Sequence, residues 1–279
     1  MCPGLAKADA TATSDDGLSV LGAAWAHEIP RAERDRGWRS ARETDRVAAA
    51  RIGAFHGGAP ERARFQGCSK GGRMAMRTAL QNPEMFDGII SGAPAMAYFG
   101  LVGIRMSDLV QANGAGGAAR HPGADDAALI GEATLSQRDA PDGAQDGAIA
   151  DPAAGSPALA APPCEDASDD ACLTGDEMTA LAAWQDGPRG GSGAQPHPGG
   201  VPVGSEAFWP GWLAGPSDDA APLVEPFAAN VLAGMAFPDD PGAGYDPRDF
   251  DAGPDPARAG CARPAAALPK AGQRERARS

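Results

Sequence analysis

Aromatic side chains are scarce, at 5% of 279 residues. Alanine supplies much of the apolar count and buries little surface per residue. A packed core is therefore expected in a few segments, with irregular chain between them. No apolar run approaches the roughly 18 residues that span a bilayer, which excludes a transmembrane helix. Positive charge is in deficit: 24 Lys and Arg stand against 37 Asp and Glu, a formal net charge of -13. That deficit argues against nucleic acid or an anionic membrane surface as partner. Cysteine is sparse and odd in number, and Cys2, Cys68, Cys164, Cys172 and Cys261 form no close metal-binding pairs. The Walker A string G-x-x-x-x-G-K-[ST] is absent, which excludes a phosphate loop of that kind. The N-terminal "MCPGLAKADA" lacks the long apolar core of a signal peptide, leaving a cytoplasmic location open.

Glycine and proline are abundant, at 38 and 26 residues. Between them lie a few organised segments. "GWRSARETDRVAAARIGAFHG" reads as a helix, with Ala41, Thr44, Val47, Ala48, Ile52 and Phe55 at helical spacing and Gly57 as a stop. "RARFQG" reads as a buried strand. "GGRMAMRTALQNPEMFDG" reads as a second helix ending by Pro83, with Met74, Met76, Ala79 and Leu80 inward. Gly88–Gly92 is a second strand candidate. Helix, strand, Gly turn, helix, strand is the α/β pattern with a mainly parallel sheet.

Residues 98–136 look like an interrupted helix, and a helix is expected at about 174–184 behind a capping box of Thr174 and Glu177. "LVEPFAANVLAGMAF" offers a helical face of Phe227, Val231 and Leu232. Beyond Pro238 no regular structure is expected. Cys164 and Cys172, eight apart, are candidates for a small disulfide, which suits an exported protein; the alternative is two free thiols.

The chemistry concentrates at "RFQGCSKGGR". Ser69 is flanked by Gly67, Gly71 and Gly72, after a strand and before a helix. A nucleophile elbow needs that setting, because the sharp turn lifts the hydroxyl above the sheet. The backbone N–H of Lys70 can then face an oxyanion, aided by the helix dipole. The alternative is a glycine turn with an incidental serine.

"FQGCSKGGRMAMRTALQNPEMFDGIISGAPA" resembles the tannase and feruloyl esterase family. Its motif G-C-S-x-G-G-R is matched by Gly67, Cys68, Ser69, Gly71, Gly72 and Arg73. P-E-x-F-D-G-I is matched from Pro83 to Ile89, and G-A-P-A by Gly92–Ala95. The resemblance runs over residues 12 to 250. It implies an alpha/beta-hydrolase core, incomplete here, over 1–100, an inserted lid domain over 101–250, and an irregular tail over 251–279. It also implies a calcium loop of the form C-D-x-x-D-G-x-x-D-G-x-I, matched by Arg138–Ile149. The ligands would be Asp139, Asp142 and Asp146, with the carbonyls of Ala144 and Ile149. The alternative is a solvated acidic turn. Arg138 stands where the motif has cysteine, and the expected partner aligns with Gly155.

The implied activity is serine carboxylic-ester hydrolysis of phenolic-acid esters, small aromatic molecules, through an acyl-enzyme at Ser69. A secreted or periplasmic location is implied with it; nothing in the sequence assigns an oligomeric state. The family's acid and histidine come late, in strings resembling "HGxxD" and "GHC", and neither string occurs here. His27, His56, His121 and His197 read as surface residues. Cys68 bonds in the family to the cysteine after the catalytic histidine; Cys261 has no histidine beside it, so Cys68 is expected to be a free buried thiol. Arg73 is read as an anchor of the helix start, and "TSDDGL" matches the family's "TDTGH" with Leu18 replacing the histidine. The alternatives are an inactive homologue lacking the triad acid and base, or a calcium-stabilised binding module.

Overall fold

The structure, a computed structural model, describes residues 4–7, 9–16, 25–114, 121–152, 163–164, 172–190, 193, 195, 199–216 and 221–259. Leu18, Gly155, His197, Cys2, Cys261 and the tail from 260 onward lie outside these, as does the side chain of Asp142. The chain divides into two compact units. One comprises Met1–Tyr98 with Ala233–Met235 and Asp240–Gly244; the other comprises Phe99–Leu232, Ala236–Asp239 and Tyr245–Ser279.

The first unit is an α/β unit. A short helix α1 (Pro30–Arg34) leads through a π-helical turn into α2 (Ser40–His56), which Gly57 ends in the left-handed region at φ 77°. Then come β1 (Arg64–Cys68), α3 (Lys70–Gln81) and β2 (Gly88–Gly92). β1 and β2 pair in parallel, the orientation the sequence pattern leads one to expect, with Arg64 opposite Gly88 through to Cys68 opposite Gly92. The "FDG" segment fixes the start of that pairing. Asp87 accepts from Ala63 N–H at 2.8 Å and its own N–H donates back to Ala63 at 2.8 Å. Phe86 stacks on Phe65 with ring centroids 5.4 Å apart.

Two helix faces differ from the sequence reading. α3 buries Gly72, Met74, Ala75 and Thr78, while Leu80 is exposed. The glycines of the turn set the helix phase, and that rotates the buried stripe away from Met76, Ala79 and Leu80. α2 buries no residue, and Val47 and Phe55 lie exposed. Ala41, Thr44, Ala48 and Ile52 of its stripe are only half-buried, so periodicity alone does not produce full burial.

The second unit is helical. A π-helical stretch, Gly100–Met106, runs into α4 (Ser107–Ala112) and is followed by α5 (Ala124–Arg138), α6 (Gly175–Asp186), α7 (Val224–Val231) and α8 (Asp255–Arg258). α6 starts as expected: Thr174 N–H and hydroxyl both donate to the Glu177 carboxylate, at 2.7 and 2.8 Å. Fully buried Trp184 meets Trp209 edge-on, with centroids 5.4 Å apart. Ile104, Leu232, Phe237, Phe250 and Ala259 form another buried cluster. This corrects the reading of the chain beyond Pro238 as irregular. Phe250, and Ala259 directly after α8, supply buried apolar surface to that cluster. Cys164 and Cys172 are joined in a disulfide, beside an isolated bridge between Pro163 and Leu173. Among the described residues no helix is long and apolar enough to cross a membrane.

Candidate active site

Ser69 sits between the last residue of β1 and the first of α3, with φ 57° and ψ -114°. A side chain in that left-handed region is strained, and such strain persists only where its surroundings fix it. Here they do. Ser69 N–H donates to the Gly92 carbonyl at 3.1 Å, and its carbonyl accepts from Arg73 at 3.0 Å and Ala95 at 3.3 Å. Ser91 hydroxyl donates to the Gly72 carbonyl at 2.9 Å. The turn is thus tied to the end of β2 on both sides, and Ser69 is left exposed. Lys70 begins the helix, where first-turn N–H groups have no intrahelical acceptor.

The glycines explain the tightness. A Cβ on Gly67 would lie 2.3 Å from the Gly71 carbonyl carbon and oxygen. One on Gly72 would lie 2.2 Å from the Gly92 oxygen. Both positions exclude any side chain.

No sequence signal joins Asp16 to Lys70, yet their side chains form an ion pair. Asp16 itself has φ 57°. Burial raises the Asp16 carboxyl, but hydrogen bonds from Lys70, Ser40 and Ser14 together with the Lys70 charge hold the group below its ordinary range. Burial also pulls Lys70 down, against the attraction of Asp16. Arg73, read from sequence as an anchor, places its guanidinium 4.6 Å from the centre of the Tyr98 ring.

Cys68 is a free thiol, but it is exposed rather than buried. It ends a strand whose outward positions, Arg64, Gln66 and Cys68, all face outward into solvent. Among the described residues no histidine hydrogen-bonds the Ser69 hydroxyl. His27 and His56 are exposed, and His121 lies beside Pro122 with its Nδ1 3.2 Å from that carbonyl.

In the acidic loop Asp139 is buried. Its Oδ1 accepts from Asp146 N–H at 3.1 Å, and both its oxygens face Gly147 N–H at 3.2 Å. Asp146 accepts from Ala148 N–H at 3.1 Å. Gly143 and Gly147 turn the loop at φ 104° and 78°. Ile149 anchors it: a Cβ on Gly204 would meet the Ile149 side chain at 2.8 Å. The donors are all hard oxygens, which suits calcium chemically. Among the described residues, no three His, Cys, Asp or Glu side chains gather closely enough to hold a metal.

The chain is 33% identical over 268 residues to an uncharacterized esterase of Xanthomonas campestris pv. campestris, covering 91% of this chain and 45% of that protein. It is 41% identical over 88 residues to a probable feruloyl esterase B of Emericella nidulans, covering 32% of this chain and 16% of that one. The crystal structure of an esterase from Aspergillus oryzae superimposes with a TM-score of 0.73 at 24% identity, covering 88% of this chain and 46% of that one. The chain therefore shares that esterase's fold and spans about half the length of the first of these relatives. The family model for tannase and feruloyl esterase matches residues 1–257, and the chain belongs to that family.

Proposed function

We propose that the chain acts as a serine carboxylic-ester hydrolase on esters of phenolic acids. The observation that carries this is Ser69 at a left-handed turn, φ 57°, between β1 and α3. In the proposed reaction Ser69 Oγ attacks the ester carbonyl, and its proton passes through water to the departing alkoxide. The Lys70 N–H stabilises the oxyanion. The tetrahedral species collapses, the alcohol leaves with a proton, and the acyl group stays on Ser69. Water then releases the acid. The family membership and the relatives' names support ester hydrolysis as the reaction class. A hydrolase core over 1–100 with a lid over 101–250 belongs to the same proposal, and an exported location fits the Cys164–Cys172 bond.

The rival, an inactive homologue, rests on the missing "HGxxD" and "GHC" strings, and one experiment decides between the two. A fluorophosphonate is incubated with the chain and with Ser69→Ala, and p-nitrophenyl acetate and a feruloyl ester are assayed alongside. One adduct on Ser69, absent in the variant, with ester turnover falling to the buffer rate, is the expected result. Equal rates in both proteins would overturn the nucleophile assignment.

Calcium in the acidic loop is proposed with it. Asp139, Asp142 and Asp146 would hold the ion with the Ala144 and Ile149 carbonyls, and the ion would stiffen the loop. Titration calorimetry is expected to show calcium binding that Asp139→Asn weakens at least about ten-fold, through loss of one charged ligand. No heat at millimolar calcium removes the site.

A further inference from the structure

Among the described residues, two guanidinium groups of the first unit form no ion pair. Arg73 Nε and Nη2 and Arg36 Nε are buried without a hydrogen-bond partner. Both residues converge on Tyr98. Arg73 lies over its ring, and Arg36 Nη2 donates to its hydroxyl at 3.4 Å. Arg36 also lies over the Trp25 ring, 5.2 Å from its centre. Arginine does not shed its charge. Burial pulls the Arg73 guanidinium below its ordinary range; Tyr98 opposes this, and Arg36 and Arg77 add to it. The acid that acts on Arg73 is Asp16, and Asp16 is already paired with Lys70.

Buried donors left unpaired are costly, and like charges brought together are costlier. A planar fork of N–H groups matches the two oxygens of a carboxylate. The Trp25 and Tyr98 rings lie against these guanidinium groups, so an anion held there would have aromatic neighbours. We propose that Arg36 and Arg73, with Tyr98 between them, form a binding site for the carboxylate of a small aromatic acid. Arg73 lies one helical turn after Ser69, its N–H bonded to the Ser69 carbonyl. Aromatic acids are the class the proposed hydrolysis releases, so the identity of the ligand rests on that reading, while the anion site rests on the two arginines.

The test uses the full chain at constant ionic strength, with sodium benzoate, neutral benzamide and inorganic phosphate as probes. Benzoate is expected to bind one-to-one by calorimetry and to raise the melting temperature. Benzamide should do neither. Arg73→Met and Arg36→Met should each weaken benzoate at least about ten-fold, as loss of a charge-assisted fork requires. Arg73→Lys, which keeps the charge, should also lose most of the affinity. Equal benzoate affinity in wild type and Arg73→Lys overturns the fork. No benzoate heat in wild type overturns the site, and phosphate binding as tightly as benzoate overturns the carboxylate class. Ser69→Ala should bind benzoate like wild type. Failure of fluorophosphonate labelling thus sinks the nucleophile and leaves this result standing.

Discussion

Gly67→Ala is expected to destabilise the chain by at least about 3 kcal/mol, well beyond ordinary overpacking of a side chain. The new methyl would overlap the Gly71 carbonyl, 2.3 Å away. Neither backbone is free to retreat. Gly67 lies inside the parallel pair, opposite Ser91. Gly71 lies in the first turn of α3, which the Arg73 N–H to Ser69 carbonyl bond closes at 3.0 Å. Gly71→Ala makes the contrast. A Cβ there meets nothing within 4 Å. Alanine also favours helix over glycine by up to about 1 kcal/mol, so this variant should be neutral or slightly stabilised. Denaturant midpoints of the two variants decide the matter. A Gly67→Ala protein within about 1 kcal/mol of wild type would contradict the turn geometry. Two glycines of one motif thus answer to different constraints, and only one of them to its own missing side chain.

That contrast shows what the sequence makes legible. The strand–turn–helix at Ser69 is readable because its demands are local: a strand, small residues and a helix within ten positions. The β1–β2 pairing, the α6 capping box and the Cys164–Cys172 bond are readable for the same reason. The buried face of α3 is not, because its phase is set by where Gly72 meets the β2 end. The apolar stripe of α2 is visible as a pattern, yet burial needs a neighbour, and the pattern names none. Phe250 and α8 escape notice among Gly, Pro and Asp because their order comes from the Ile104, Leu232 and Phe237 cluster, distant in sequence. Asp16 with Lys70, and Arg36 with Arg73, are long-range pairings of charges. Nothing in their spacing announces them.

A charge pair of the second unit, with Arg105 buried and Asp108 half-buried, leads to the other large expected effect. Arg105, 6% exposed, donates through Nη1 to Asp108 at 2.8 Å and through Nη2 to the Trp184 carbonyl at 2.8 Å. Arg105→Met removes both bonds and strands a carboxylate, which is expected to cost about 3–5 kcal/mol at neutral pH. The loss should depend on pH. Burial pushes Asp108 up to about 6, even against the pull of Arg105. A carboxyl whose folded pKa lies above its unfolded one stabilises the fold while it is protonated. Its contribution is therefore complete below about pH 4 and is lost as pH rises through about 6, a change of at most about 3 kcal/mol in wild type. Without Arg105 nothing offsets burial, so Asp108 keeps its proton to higher pH. At pH 5 the variant then holds a neutral acid and its deficit falls to the cost of the lost Trp184 carbonyl bond and Arg105 packing; at pH 8 it must also bury a charge or bind a proton. Unfolding free energies at the two pH values test this. A deficit equal at both would mean that Arg105 acts by packing alone. Asp108→Asn added to Arg105→Met should recover stability at pH 8 and change little at pH 5, because it removes the stranded charge and nothing else.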